Sequence, residues 1–488
     1  MKTFVQLLLG AFLIITTFSC QNAEKEKKEE TSKPNIIFIL TDDLGFGDLG
    51  YYGQKKIKTP NLDHMASKSL VFSNAYAGGP VCSPSRASLM TGLHQGHSPV
   101  RNNPPSGSEE VSYGKDDVIL SQKMKQAGYT TACFGKWGGP QSSEGYPTKK
   151  GFDKFIGYDT HKWAHNYYSD TLRSNDTLIY PKRDYPQFME DGKVYSHDIF
   201  IHESLNFIEE NQNDPFFLYL AITIPHSPYN PPKSYLEPYK DKDWPMKYKR
   251  YAGMVSKMDY DVNRILQKLD ELGIAENTLV IFTSDNGPQS SYGKGENDMT
   301  QFFNSNGKYR GIKRDILEGG VHVPFWAYWK GKIEPKETDH TTCFFDVMPT
   351  LCELVGVDAP ENTDGYSILP TIYGDVENQK EHDYFYWEYM VCWAGKENEA
   401  CRYGVLDIKN NMKAIKYGKY GDTQLFNIKT DTTEQINIAD KHPELVEKLN
   451  AKMVEMRDSS DIWILPKKPF FAPKNYNSHY TGDNRWVY

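Results

Sequence analysis

The chain has 488 residues, 39% hydrophobic and 25% charged, so it can bury a sizeable core and is not a disordered polymer. At roughly 100–200 residues per domain, the length allows two or three domains, or one large domain with an appendage. The formal net charge of −8 argues against a general nucleic-acid binder, although a local basic pocket for an anionic substrate is compatible with it.

Lys2 followed by the apolar run Phe4–Phe18 reads as an export signal, too short to span a membrane. Cys20 directly after it resembles the lipidated cysteine of a bacterial lipoprotein, with an ordinary signal peptide as the alternative. Residues 21–33 are charged and form a tether. Asn35–Leu40 is a short apolar run, as in a buried strand of a parallel sheet, and it ends at Asp42 and Asp43. Helices are expected over 60–68, 84–90, 118–127, 196–210 and 251–272, and strands over 70–74, 130–134, 216–221 and 278–283. Strands alternating with helices indicate an α/β fold with a largely parallel sheet. Ligands bind such sheets beyond the carboxyl ends of the strands, where Asp42, Asp43, Lys136, Asp285 and Asn286 fall. After about residue 375 the pattern shifts. Short strands at 384–389, 400–406, 413–417 and 424–428 and a helix at 443–456 suggest a small antiparallel sheet with one helix on it. The expected division is a signal at 1–20, a tether at 21–33, a catalytic domain at 34–378, and a small subdomain with an irregular tail at 379–488.

The most informative stretch is Pro80-Val-Cys82-Ser-Pro84-Ser-Arg86-Ala-Ser-Leu-Met-Thr-Gly92. Pro84 suits the first turn of a helix, which places Cys82 at a helix N-terminus, an end that favours anions. Arg86, one turn on, adds a permanent cation with a fork of donors. Five cysteines besides Cys20 and Cys82 make an odd remainder; Cys392 and Cys401 can pair, but buried free thiols are the default.

The pattern C-x-P-x-R followed by A-S-L-M-T-G resembles the modification signature of type I, formylglycine-dependent sulfatases, and the resemblance runs from about Pro34 to Leu449. It implies an alkaline-phosphatase-like large mixed sheet flanked by helices, with a smaller C-terminal antiparallel sheet plus helix. It also implies that a maturation enzyme oxidises Cys82 to formylglycine, whose hydrate is the nucleophile. Asp42, Asp43, Asp285 and Asn286, with the residue derived from Cys82, match the family's metal site. An oxygen-rich set without His or Cys nitrogen or sulfur donors suits Ca²⁺, and Mg²⁺ less well. Arg86 matches the residue that orients the nucleophile. Lys136 in Gly-Lys-Trp and Lys313 in Arg-Gly-Ile-Lys match the sulfate-holding lysines, and His226 in Ile-Pro-His-Ser-Pro matches the proton donor to the leaving oxygen. His165 in Ala-His-Asn-Tyr-Tyr is expected at the rim, binding sugar, and Arg402 is expected to reach the pocket from the smaller domain.

One departure stands out. The family reads Gly-Lys-Trp-His, and this chain has Gly138 in place of that histidine. His94, His97, His161 and His165 are the candidates to replace it, and the sequence does not choose among them. The implied activity is removal of sulfate from a sulfated sugar, a polysaccharide such as ulvan or carrageenan or a glycosaminoglycan, in a bacterial periplasm or on its cell surface. The alternatives are a phosphatase or phosphodiesterase of the same superfamily, or a surface lipoprotein that binds sulfated glycans without turnover.

Overall fold

The computed structural model describes residues 33–103, 111–139, 141–161, 163–289, 298–390, 401–418, 421–460 and 463. The export signal, Cys20, nearly all of the tether, Cys392 and the tail after Trp463 lie outside the described residues.

The strands, in chain order, are β1 (Asn35–Thr41), β2 (Leu70–Tyr76), β3 (Thr130–Lys136), β4 (Lys154–Tyr158), β5 (Leu172–Ser174), β6 (Thr177–Ile179), β7 (Met189–Glu190), β8 (Lys193–Val194), β9 (Phe216–Ala221), β10 (Thr278–Ser284), β11 (Phe325–Tyr328), β12 (Lys336–Cys343), β13 (Tyr384–Tyr389), β14 (Arg402–Asp407), β15 (Met412–Tyr417) and β16 (Thr423–Asn427). Ten of them form one sheet in the order β12-β2-β11-β10-β1-β9-β3-β4-β5-β6. Every residue of β1 is buried, as its unbroken apolar run requires of a central strand covered on both faces. The pairs β10–β1, β1–β9, β9–β3 and β3–β4 are parallel, so their carboxyl ends lie together. Strand β11 runs antiparallel to both β10 and β2, and β5 and β6 run antiparallel at the other flank. The sheet is therefore mixed. Its parallel character is confined mainly to the middle, because the hairpin β5–β6 and the reversed β11 supply antiparallel neighbours.

Two helix boundaries differ from the sequence pattern. The long helix is Met246–Glu271, starting five residues before Tyr251, because its first turn is mostly exposed and shows little apolar periodicity. The helix expected from Val118 begins instead at Leu120, since Ile119 is extended and its N–H donates to the Gln122 side chain. The C-terminal strands form a four-stranded antiparallel sheet, β13-β14-β15-β16, with the Pro443–Glu455 helix against β14. Tyr386, Tyr403, Val405 and Leu425 of that sheet share a core with Phe38 and Leu40 of β1. Cys82, Cys133, Cys343 and Cys352 are buried free thiols, and Cys401 is buried as well.

Candidate active site

The central parallel strands deliver their charged residues to one edge. Asp42 and Asp43 follow β1, Asp285 and Asn286 follow β10, and Lys136 ends β3. Thr41 pairs with Ser284 in register, which sets the two acidic segments side by side. The Asp285 N–H donates to the Thr41 carbonyl at 3.0 Å, and the Asp43 N–H to Asp285 Oδ1 at 3.2 Å. Asp43 has φ 66°, a strained conformation for a non-glycine residue of the kind that persists where function needs it.

The Cys82–Thr91 helix starts at the cysteine itself, with Val81 as an extended N-cap. Arg86, one turn along, grips Asp285 Oδ2 through Nε at 2.9 Å and Nη2 at 2.7 Å. Lys136 Nζ lies 2.7 Å from Asp42 Oδ2, and Lys313 Nζ lies 2.7 Å from Asp43 Oδ1. All six of these charged side chains are buried. Asn286 donates through Nδ2 to Asp43 Oδ1 at 2.8 Å. Two buried oxygens in the cluster, Asp42 Oδ1 and Asn286 Oδ1, have no hydrogen-bond partner. Ligand atoms of Asp42, Cys82 and Asp285 all lie within 4.8 Å of one another. Orphaned oxygens among three carboxylates fit a hard cation, which needs oxygen donors.

The electrostatics follow from this crowding. Burial pushes the Cys82 thiol up, but Lys136, Lys313 and a contact with His161 bring it well below its ordinary value. Burial would likewise raise Asp42, and Lys136 overrides it. Asp285 goes the other way, raised by burial and by the nearby charge of Asp42. Lys136 is burdened by burial yet held firmly charged by Asp42.

His226 and His165 stack face to face with centroids 3.5 Å apart. His226 Nε2 lies 3.3 Å from Asp43 Oδ2, and its Nδ1 donates to the Ser227 carbonyl. His165 Nε2 lies 3.4 Å from Lys136 Nζ. Burial depresses both imidazoles, that of His165 to about 3. Arg402 is bound to Asp315 and to the Arg314 carbonyl, so it braces the segment carrying Lys313.

The structure distinguishes among the four histidines weighed against Gly138. His94 and His97 form a group with Asp364 beyond the far end of the nucleophile helix. His165 belongs to the stack beside Asp42. His161 reaches the nucleophile side: its Nε2 is 2.8 Å from the Oγ of Ser83, the residue next to Cys82. A Cβ at Gly138, where φ is 150°, would lie 2.3 Å from His161 Cε1. The ring of His161 thus fills the space into which a side chain at 138 would project. Asn103 is a neighbour that sequence reasoning missed. Its Nδ2 is 3.4 Å from Cys82 Sγ, and its Oδ1 accepts the Ser83 N–H at 3.0 Å. No motif or periodicity marks it.

A family model described as Sulfatase matches residues 34–357. Another, described as N-sulphoglucosamine sulphohydrolase, C-terminal, matches residues 309–459. N-acetylgalactosamine-6-sulfatase of Homo sapiens is 31% identical over 361 residues, covering 70% of this chain and 66% of that protein, so the chain spans just under two thirds of that relative's length. N-acetylgalactosamine-6-O-sulfatase of Bacteroides thetaiotaomicron is 27% identical over 92% of this chain and 98% of its own length. The crystal structure of Ps i-CgsB, 26% identical, superposes with a TM-score of 0.74 over 93% of this chain and 98% of that one, and the protein has also been solved in complex with k-i-k-neocarrahexaose. With a matching family model over most of its length and an edge of acids, cations and one cysteine at a helix N-terminus to go with it, the chain belongs to the sulfatase family.

Proposed function

We propose that this protein is a sulfuric ester hydrolase that removes sulfate from sulfated sugars. The observation that carries the reading is the convergence of Cys82, at a helix N-terminus, with three buried cations and two orphaned carboxylate and amide oxygens. Cys82 oxidised to formylglycine supplies a hydroxyl nucleophile. Asp42, Asp43, Asp285 and Asn286 would hold a calcium ion, which supplies charge stabilisation to the sulfuryl oxygens.

The chain's own residues do the rest. Lys136 and Lys313 are placed to neutralise sulfuryl oxygens, and Arg86 to orient the residue at 82 while fixing Asp285. His226 donates a proton from Nε2 to the leaving sugar oxygen. Burial and Lys313 keep it neutral in the free protein, and an anionic substrate against the lysines offsets that penalty. His161 receives, at Nε2, the proton that the side chain at 82 gives up, in the role that Gly138 leaves vacant. His165, stacked on His226, fixes the plane of that ring. The resemblance to N-acetylgalactosamine-6-sulfatases and to a structure holding a carrageenan hexasaccharide supports a carbohydrate substrate.

The phosphatase alternative would place paired ions in a His-rich site. Asp42, His165 and His226 could hold one. Lys136, 2.7 Å from Asp42 and 3.4 Å from His165, already puts a positive charge there. The test is a mass spectrum of the Cys82 peptide after co-expression with a formylglycine-generating enzyme, together with sulfate release from N-acetylgalactosamine 6-sulfate, carrageenan and ulvan oligosaccharides. Exchange of sulfur for oxygen with loss of two hydrogens at residue 82, and release of sulfate, are expected. An unmodified Cys82 beside a converted control peptide would overturn the reading in favour of a glycan-binding lipoprotein.

A further inference from the structure

The segment that leaves β4 is used on two sides. His161 and His165 reach the nucleophile and Lys136, as described above. Trp163, between them, lines a separate pocket of about 400 Å³ together with Asp159, Thr160, Asn166, Arg173 and Leu178. Tyr158, also in its wall, pairs in register with Lys136. Neighbouring strands are about 4.8 Å apart, so the β4 wall of this pocket is one strand spacing from the strand that carries the sulfate-holding lysine, while Arg173 on β5 and Leu178 on β6 lie farther out.

Its chemistry differs from that of the sulfate site. Trp163 is 55% exposed and Leu178 44%, two large apolar surfaces left in water on one pocket. Arg173 is the one cation among the described lining residues, and it is already paired with Asp159 at 3.0 Å. Asp170 adds a second carboxylate to the wall. The Thr160 hydroxyl is buried without a hydrogen-bond partner. An aromatic face, an aliphatic wall and an unpartnered hydroxyl suit a pyranose ring, which has an apolar C–H face and a hydroxyl rim. Both carboxylates are already paired, Asp159 with Arg173 and Asp170 with Lys182 at 3.2 Å, so the described wall offers no uncommitted cation to a sulfate or a uronate.

We infer that this pocket is a subsite for an uncharged sugar ring adjoining the sulfated one, so that the substrate is an oligosaccharide or polysaccharide with a neutral neighbour. The inference rests on the sulfatase reading and narrows its substrate class. Trp163→Ala removes the platform without touching the residues around Cys82, and Trp163→Phe retains a ring there. The matured full-length protein and both variants would be assayed on p-nitrocatechol sulfate and on hexasaccharides of κ-carrageenan, chondroitin 6-sulfate and ulvan. The best hexasaccharide is expected to carry a neutral sugar next to the sulfated ring. Trp163→Ala is expected to lower kcat/KM on it by about ten-fold, the scale of one aromatic contact, with Trp163→Phe restoring most of it and p-nitrocatechol sulfate unaffected. A preference for uronate neighbours, or equal losses on the aryl ester and the hexasaccharide, would overturn the subsite. Should the protein release no sulfate at all, the functional reading fails separately. Affinity electrophoresis in the same glycans then decides the subsite, retardation lost in Trp163→Ala supporting it and retardation unchanged refuting it.

Discussion

The contact between His161 and Gly138 can be tested by a double-mutant cycle. A methyl group at 138 would lie 2.3 Å from His161 Cε1, whereas carbon atoms in contact sit about 3.5–4.0 Å apart. The ring must therefore retreat by roughly 1 Å or more, enough to break the 2.8 Å bond to Ser83. A misplacement of that size costs about 10²-fold in rate. Gly138→Ala also meets a φ of 150°, which adds backbone strain on the order of 1–2 kcal/mol. His161→Ala removes the imidazole outright, and the loss expected for a proton-transfer group is about 10²–10⁴-fold in kcat. The double variant should be no slower than His161→Ala alone, because the methyl group acts through the ring it displaces. The assay is steady-state sulfate release by the three matured variants, with urea denaturation to separate folding losses from catalytic ones. Multiplicative losses in the double variant, or a His161→Ala enzyme with turnover near that of the native chain, would refute the substitution of one position for the other.

Asn103→Ala removes partners of the Ser83 N–H and the Cys82 sulfur, and a roughly ten-fold fall in kcat/KM with unchanged urea stability is expected. Lys413→Met strips the cation from buried Glu318 and Glu434, 2.8 and 3.4 Å away, and should cost about 3–5 kcal/mol in urea unfolding; a change below about 1 kcal/mol would show that the two carboxylates do not depend on that cation. Inorganic sulfate should bind the matured protein about 5–150-fold more tightly with calcium than with chelator, measured by calorimetry, and equal affinities would show that the acids do not hold a metal.

Much of this architecture was legible because the central strands are simple. Asn35–Thr41 and Thr278–Ser284 are apolar runs that stop at carboxylates, and a run buried on both faces has little freedom to be anything else. Ser196–Glu210, Phe216–Ala221 and Tyr384–Tyr389 came out with the boundaries their patterns indicate. The flanks were not legible. β5 and β6 have three residues each, β11 has four, and β12 reads Lys-Glu-Thr-Asp-His-Thr-Thr-Cys, an edge strand whose exposure permits polar residues. At the site, residues in short motifs were found with their roles, whereas Asn103 was missed and His161 was offered only as one of four histidines. Asn103 touches Cys82 from 21 positions away, and His161 meets Ser83 across 78. The sequence offered four histidines for one task, and only the path of the chain after β4 selects among them.

The charge arrangement of the site is hard to explain as core stabilisation. Asp42 pairs with Lys136, Asp43 with Lys313 and Asp285 with Arg86, all buried. Desolvating an ion costs several kcal/mol, and pairing often does no better than an apolar replacement. Three such pairs side by side, with an aspartate at φ 66° and two oxygens left unpartnered, are a poor way to stabilise a sheet edge. The same set is economical if each pair is meant to be shared. A calcium ion taking the acid oxygens would release the cations to a sulfuryl group, and an anion taking the cations would release the acids to the metal. Each ligand thereby lowers the cost of binding the other, which is the physical content of the calcium-dependent sulfate affinity predicted above.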